Sequence, residues 1–151
     1  MELTTDIIKK LRDMTGVSIM QCKKALEEAG GDLAKAEVIL KKHSAAAAEK
    51  KGERELKAGI IGSYVHDGGI GAMVALSCET DFVAKNPEFG VLARDIAMQV
   101  AAMNPEKTED LFEQPFIKDE SKTVQHLLNE ATQKFGERIE VSRFVRLSAR
   151  S

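Results

Sequence analysis

The sequence predicts an α+β fold, in which a small three-helix domain is followed by an antiparallel three-stranded sheet covered by helices. Apolar residues recur with helical spacing over residues 1–45, and from residue 58 onward the spacing changes towards alternation. A tight-turn sequence, Asp67-Gly68-Gly69, separates two of the alternating segments. We therefore expect a helical domain at 1–45, a linker at 46–56 and an α+β core at 57–151. A chain of 151 residues has room for these two domains and is too short for a barrel enzyme.

The helical domain is predicted from apolar stripes and capping residues. Gly16 can end the first helix, Ser18 and Gln21 form a capping box at the start of the second, and Asp32 can cap the third after Gly30-Gly31. Helices of this length are not stable alone, so they must pack on one another. The residues expected on the three apolar stripes are Ile7, Ile8, Leu11, Met14, Ile19, Cys22, Leu26, Leu33, Ala36 and Leu40.

The segment that follows, HSAAAAEKKGEREL, is rich in alanine and charge and has no clear apolar stripe, which predicts a solvated linker with some helix. Beyond it, GIIGSYVH and IGAMVALSC flank the tight turn as two strands of a hairpin. Alternate residues from Ile70 to Cys78 are apolar, so one face of this hairpin must be covered.

Two helices and a third strand complete the predicted core. Asn86-Pro87 can start a helix whose apolar spacing continues to Met103, and this helix is expected to cover the hairpin. A second long helix is expected from Asp119 to Phe135, ended by Gly136. Alternation over residues 139–147 then predicts the third strand.

Composition argues against several classes of function. The chain has 22 basic and 24 acidic residues, a net charge of −2, and so lacks the basic character that nucleic-acid binding requires. Cys22 and Cys78 have no CxxC spacing, and with only three histidines they offer no zinc-site pattern, so both are expected to be free thiols. No apolar run approaches a membrane span or a signal peptide, and a reducing cytosol is the expected compartment.

The stretch Leu76–Asn86, LSCETDFVAKN, is the most informative part of the core. It joins the second strand to the next helix, and Thr80 and Asp81 are natural capping residues for a short helical turn. Phe82 is the unusual residue, because an aromatic side chain in a short polar connection either packs into the core or is offered to a partner. Residue type alone favours the core by about three to one.

Three weaker signals have simpler structural explanations. Cys78 and His66 stand at opposite ends of one hairpin, roughly 20 Å apart, which argues against a thiol nucleophile and base. The glycine run at 67–71 leads into a strand rather than a helix, so it is a hairpin turn and not a phosphate loop. Ile19 and Met20 are adjacent, cannot both face the same core, and leave one side chain for solvent or a partner.

Two motifs, in order along the chain, resemble the bacterial elongation factor Ts family. The first is LRDMTGVSIMQCKKALEEAGGDLAKAEVIL, from Leu11 to Leu40, which is similar to the family's N-terminal domain. The second is CETDFVAKN, from Cys78 to Asn86, which is similar to the family's most specific motif. YVHDGGIGAMVAL and RFVRL are similar too, so the resemblance covers nearly the whole chain.

The resemblance implies a guanine-nucleotide exchange factor for elongation factor Tu, with no catalytic residues, no cofactor and no metal of its own. The first domain is then a ubiquitin-associated-like three-helix fold that binds the partner through Arg12, Ile19 and Met20. The segment Thr80, Asp81, Phe82 and Val83 is expected to dislodge magnesium at the partner's phosphate site, with Phe82 as the wedge.

This chain differs in length from the longer members of the family that it resembles. It is similar to the short form with a single core module, without a second core copy or a protruding helical hairpin. Ser77 and Ile19 replace the Asn and Met that are frequent in the family. Short members associate as dimers, so we expect a homodimer, for which the sheet edge at 138–147 is available.

Two alternatives to nucleotide exchange remain at this stage. One is a non-catalytic adaptor that binds a protein through the N-terminal three-helix domain. The other, a small thiol enzyme using Cys78, is the weaker because its proposed base is distant.

Overall fold

The computed structural model of the chain describes residues 4–150 and confirms the α+β fold class. Residues 1–3 and 151, which the sequence prediction assigned to the two domains, lie outside this range. The elements described, in chain order, are α1 (Thr5–Thr15), α2 (Ile19–Glu28), α3 (Leu33–Lys51), β1 (Ala58–His66), β2 (Ile70–Cys78), α4 (Asp81–Ala84), α5 (Pro87–Met103), α6 (Thr108–Glu113), β3 (Pro115–Phe116), β4 (Asp119–Thr123), α7 (Val124–Phe135) and β5 (Glu140–Ser148).

The described residues form two compact units. The first contains the chain up to Glu53 together with Asn129–Gly136, and the second contains Arg54–Leu128 and the residues from Glu137 onward. Among the described residues, no helix combines the length and apolar character needed to cross a lipid bilayer.

The first unit is built on a small apolar cluster shared by α1, α2 and α3. Ser18 and Asp32 cap α2 and α3 as the sequence predicts, and Thr4, which was not predicted, caps α1; each side chain accepts a backbone hydrogen bond from the first turn. Gly16, with φ of 72°, ends α1 in the left-handed region that favours glycine. The buried cluster consists of Leu11, Val17, Cys22, Ala25, Leu26, Ala36 and Leu40.

Two residues that the sequence placed on the apolar stripes are exposed. Met14 is 38% exposed and Ile19 is 54% exposed, so their assignment to the buried face is wrong. The physical reason at Ile19 is its place in the first turn of α2, because the residues of this helix that reach the cluster begin one turn later, at Cys22.

The last helix of the first unit is longer than the sequence predicts. α3 continues to Lys51, into the segment 46–56 that was expected to be a linker. Alanine is the best helix former, and Ser44 on the same helix is 1% exposed and donates a hydrogen bond to Gln133 of α7. Residues 52–57 are what remains between α3 and β1.

The second unit is a three-stranded antiparallel sheet in the order β1-β2-β5, with α5 packed on one face. Alternate residues of β2, from Ala72 to Cys78, are buried on that face. The β1–β2 turn has Asp67 and Gly68 at φ of 48° and 69°, the left-handed pair typical of a tight hairpin turn. The hairpin, its covering helix and the third strand are as predicted.

The region between α5 and β5 differs from the prediction. The helix expected from Asp119 is a strand over Asp119–Thr123, paired with Pro115–Phe116, and α7 begins only at Val124. The buried side chain of Gln99 explains the change, because its amide donates to the Pro115 carbonyl and its oxygen accepts from the Ile117 backbone. These bonds from α5 hold residues 115–117, and Asp119–Thr123 pairs with Pro115–Phe116 of that segment instead of starting the helix.

Candidate partner-binding site

A one-turn helix lies at the corner between β2 and α5. β2 ends at Cys78, α4 spans Asp81–Ala84, and α5 starts at Pro87 with Asn86 as its cap. Thr80 has an extended backbone and its hydroxyl oxygen accepts a hydrogen bond from the Val83 backbone at 3.4 Å. This is the capped turn that Thr80 and Asp81 predict.

Phe82 projects from this turn into solvent. Its side chain is 86% exposed, the highest value among the large apolar side chains of residues 4–150. The interpretation from residue type alone, which favoured the core, is therefore wrong. A helix of one turn can bury only one side, and Val83 and Ala84 occupy that side, so Phe82 is left facing out.

The other residues expected at this corner divide between surface and core. Thr80 and Asp81 are exposed beside Phe82, whereas Val83 is 4% exposed and not available for direct contact. The corner therefore presents one aromatic ring, one carboxylate and one hydroxyl on a turn that is anchored from beneath by Val83.

A carboxylate from a distant part of the chain binds the start of the turn. Glu137 Oε1 accepts hydrogen bonds from the backbone nitrogens of Glu79 and Thr80, each at 3.0 Å, and Glu137 Oε2 accepts from the Thr80 hydroxyl at 2.6 Å. Local spacing gives no sign of these contacts, because Glu137 follows Thr80 by 57 residues. Sequence reasoning did not identify this residue.

A second set of polar contacts lies beside the first. Glu79 Oε2 accepts from the Arg138 backbone nitrogen at 2.5 Å, and Glu79 Oε1 pairs with Arg54 at 3.6 Å. The Arg138 guanidinium donates to the Arg54 carbonyl at 2.5 Å and to Glu140 at 2.6 Å. The segments 79–80 and 137–138 are thus joined by reciprocal hydrogen bonds.

The residues expected to bind a partner in the first unit are all on its surface. Arg12 lies on the exposed side of α1. Ile19 and Met20 are 54% and 69% exposed at the start of α2. The sequence predicted that one of this pair faces outward, and the structure exposes both. Two adjacent exposed apolar side chains make a small surface patch that a protein partner can cover.

The outer face of the sheet is also apolar. On the side away from α5, exposed apolar residues from all three strands are neighbours in the strand register, in which Met73 lies opposite both Ser63 and Val145. Arg143 lies on this face opposite Ala75 and borders a hollow there together with Ile61 and Met73. The exposed large apolar residues here are Ile61, Val65, Met73, Val145 and Leu147.

The thiol of Cys78 has no features of a nucleophile. Its side chain is buried, and burial raises the pKa of this thiol, with the negative charge of Glu137 acting in the same direction. Cys78 pairs with Ala58 at one end of the hairpin and His66 pairs with Ile70 at the other. Among residues 4–150, no group of three or more His, Cys, Asp or Glu is placed to hold a metal ion.

Comparison with known proteins gives consistent matches over nearly the whole chain. The family model described as "Elongation factor TS" matches residues 47–107 and, in a second overlapping match, residues 79–151. The chain is 43% identical over 190 residues to the elongation factor Ts of Thermodesulfovibrio yellowstonii, an alignment that covers 97% of this chain and 96% of that relative. Elongation factor Ts proteins of Thermotoga petrophila and Thermotoga maritima are each 44% identical over 190 residues, with the same coverage of 97% and 96%.

The alignments also show a difference in length. Each extends over 190 residues, whereas this chain has 151, so the relatives carry residues that have no counterpart here.

Proposed function

The chain belongs to the elongation factor Ts family, and on that premise we propose that it is a guanine-nucleotide exchange factor for elongation factor Tu in translation elongation. In this proposal the chain acts in the cytoplasm, binds a protein surface rather than nucleic acid, and catalyses no chemical reaction. Its effect is to speed the release of GDP from the partner.

The observation that carries the proposal is the exposure of Phe82. A benzyl side chain that is 86% exposed has a free-energy cost in water and gains free energy when it enters an apolar pocket. It stands on a turn fixed by a capping hydroxyl, a buried valine and hydrogen bonds from Glu137. A ring held in this way can enter a partner without first being ordered.

The mechanism follows from how a GTPase holds GDP. Backbone amides of the phosphate loop and a magnesium ion bind the phosphates of GDP. Displacing either the amides or the ion therefore weakens the binding of GDP. We assign to Phe82 the role of the wedge that enters the partner. Asp81, next to it, is assigned the role of displacing the partner's magnesium ion. Thr80 caps the turn, and Val83 anchors it within the chain's own core.

The energy for this displacement must come from differential binding. The exchange factor has to bind the nucleotide-free partner more tightly than the GDP-bound partner. Linkage then requires that bound nucleotide lowers the affinity of the partner for the factor by the same ratio. The factor is therefore expelled when nucleotide rebinds. Such a cycle needs no cofactor on this chain, because the chain contributes only its own side chains and the magnesium ion and phosphate loop belong to the partner.

The first unit supplies affinity in this proposal. Ile19 and Met20 form the apolar patch that contacts the partner's nucleotide-binding domain, and Arg12 adds an exposed guanidinium, a group enriched at energetically important positions of interfaces. The alternative role, an adaptor that binds through this unit alone, would leave the conformation of the β2–α5 corner without consequence.

We also propose that the chain forms a homodimer through its sheet. β5 is an edge strand, and the outer face that it shares with β1 and β2 exposes Met73, Val145 and Leu147. A second copy presents the same apolar face, so a two-fold arrangement covers both at once. This supports the sheet edge at 138–147 as part of the interface.

The direct test is release of a fluorescent GDP analogue from elongation factor Tu after mixing with excess unlabelled GDP. We expect the purified chain to speed release by at least about tenfold at saturation, within the usual range of coupling between sites. An unrelated GTPase loaded with the same analogue is the control for non-specific effects. Binding to elongation factor Tu without faster release would contradict exchange and support the adaptor.

A further inference from the structure

We propose that Glu137 is a positioning residue for nucleotide exchange, which acts through Thr80 to hold the turn that carries Phe82. The inference rests on the proposed function and concerns a residue outside the Thr80–Val83 segment. It is argued from the hydrogen bonds at the corner and from the position of Glu137 in the chain.

The bonds of Glu137 satisfy backbone groups that the sheet does not. β2 ends at Cys78, and the backbone N–H groups of Glu79 and Thr80 lie in the link before α4. Both donate to the same oxygen, Glu137 Oε1, at 3.0 Å. Because one charged oxygen accepts from both N–H groups, these charge-assisted bonds tie the path of both residues to Glu137.

The second carboxylate oxygen sets the orientation of the cap. The Thr80 hydroxyl donates to Glu137 Oε2 at 2.6 Å and accepts from the Val83 backbone at 3.4 Å. The strong acceptor therefore fixes the hydroxyl proton and leaves a lone pair of Thr80 for the first turn of α4. Phe82 lies between Thr80 and Val83, so its backbone direction depends on this arrangement.

The position of Glu137 is itself fixed. Gly136, with φ of 74°, ends α7 in the left-handed region, and the next residue is Glu137. On its other side, the Arg138 backbone donates to Glu79, and the Arg138 guanidinium donates to the Arg54 carbonyl and to Glu140. The carboxylate is thus carried by a segment that is held on both sides.

This arrangement bears on exchange more than on the fold. Phe82 is exposed, so loosening the turn removes no buried contact of the ring, yet it allows the ring to sample directions that do not fit the partner. In the variant, the turn must be ordered when the partner binds, which costs free energy. In the intact chain the hydrogen bonds of Glu137 hold the turn in order before binding. Loss of Glu137 should therefore lower exchange by roughly tenfold, the factor expected from ordering one or two side chains.

The experiment compares Glu137→Ala, Glu137→Gln and the double variant Glu137→Ala with Phe82→Ala in the GDP-release assay. Glu120→Ala removes an exposed carboxylate from β4 and is the matched control. We expect Glu137→Ala to slow stimulated release roughly tenfold. Glu137→Gln should retain most activity, because its amide oxygen still accepts from both N–H groups and its NH2 group can donate to the Thr80 hydroxyl oxygen, which keeps a lone pair for Val83. The double variant should be no slower than Phe82→Ala alone, since the two residues act through one group.

Several results would overturn the inference. Stimulation by Glu137→Ala equal to that of the intact chain would do so, as would equal losses in Glu137→Gln and Glu137→Ala. If the fold-loss of stimulated release in the double variant equals the product of the losses in Glu137→Ala and Phe82→Ala, Glu137 acts independently of Phe82. If Glu137→Ala unfolds, Thr80→Val breaks the Oε2 contact from the other side, and full activity in that variant would contradict the inference.

Failure of the proposed function gives a different result from failure of this inference. If the intact chain itself does not speed GDP release, nucleotide exchange is wrong. If the intact chain is active and the Glu137 variants are equally active, exchange stands and the positioning role is wrong.

Discussion

Gly62 of β1 lies directly against Ala93 of α5. A Cβ atom on Gly62 would come within 2.5 Å of the Ala93 carbonyl carbon and 2.6 Å of its Cβ. Only glycine, which has no Cβ, fits between β1 and α5 at this point. This close contact sets the position of α5 behind the β2–α5 corner.

We predict that Gly62→Ala lowers the free energy of unfolding by about 1–3 kcal/mol, because backbone atoms must move apart to admit the methyl group. Urea denaturation followed by circular dichroism measures the change. Gly90→Ala is the matched control: apart from its chain neighbours and the adjoining backbone of its own helix, no atom lies within 4 Å of its added Cβ, and alanine is favoured over glycine in a helix. Equal effects of the two substitutions would contradict the close approach.

The buried thiols predict a pH dependence of stability. Burial is the main cause that raises the pKa of both Cys22 and Cys78, so each thiol ionises at lower pH in the unfolded chain than in the folded chain. Their contribution to stability is present below about pH 8.5 and is lost as the pH rises towards the folded pKa. Denaturation at pH 7 and pH 9.5 should show a larger loss for the intact chain than for the variant Cys22→Ala with Cys78→Ala. The same alkaline loss in both would count against the shifts.

The patch on α2 predicts a loss of affinity without a loss of fold. Changing Ile19 and Met20 together to Ser removes two exposed apolar side chains and should weaken binding to nucleotide-free elongation factor Tu about 10- to 100-fold. Titration calorimetry measures the Kd. Val38→Ser, at an exposed position of α3, is the control. An unchanged Kd for the double variant would exclude this patch from the interface.

The sheet face predicts a charge-sensitive dimer. Met73→Glu places a carboxylate in the centre of the exposed face, and in the proposed homodimer the two-fold arrangement would bring two such charges towards each other. We expect dimer dissociation to become at least about tenfold easier in sedimentation experiments. Val91→Glu adds the same charge at an exposed position of α5. A monomeric intact chain, or a dimer unaffected by Met73→Glu, would contradict the proposed interface.

Local sequence predicted the elements whose formation depends on neighbouring residues. Ser18, Asp32 and Asn86 cap the helices as expected, and the Asp67-Gly68 pair turns the hairpin. These features act over a few residues, so spacing and residue type are enough to identify them.

The features that the sequence did not predict depend on distant contacts. The strand at Asp119–Thr123 pairs with Pro115–Phe116, and Gln99 of α5, 16 residues before Pro115, binds the backbone of Pro115 and Ile117. Phe82 faces outward because Val83 fills the inner side of a one-turn helix, which residue type alone does not reveal. Glu137 reaches Thr80 across 57 residues, and no local pattern marks that contact.

The measurement closest to the central claim is stimulated GDP release by Phe82→Ala, compared with Met103→Ala at the far end of α5 as an exposed apolar control. Because the ring is 86% exposed, the variant should keep its thermal unfolding midpoint while its stimulation of release falls at least about tenfold. Met103→Ala should behave like the intact chain. Stimulation by Phe82→Ala equal to that of the intact chain would contradict the role of this residue as the wedge.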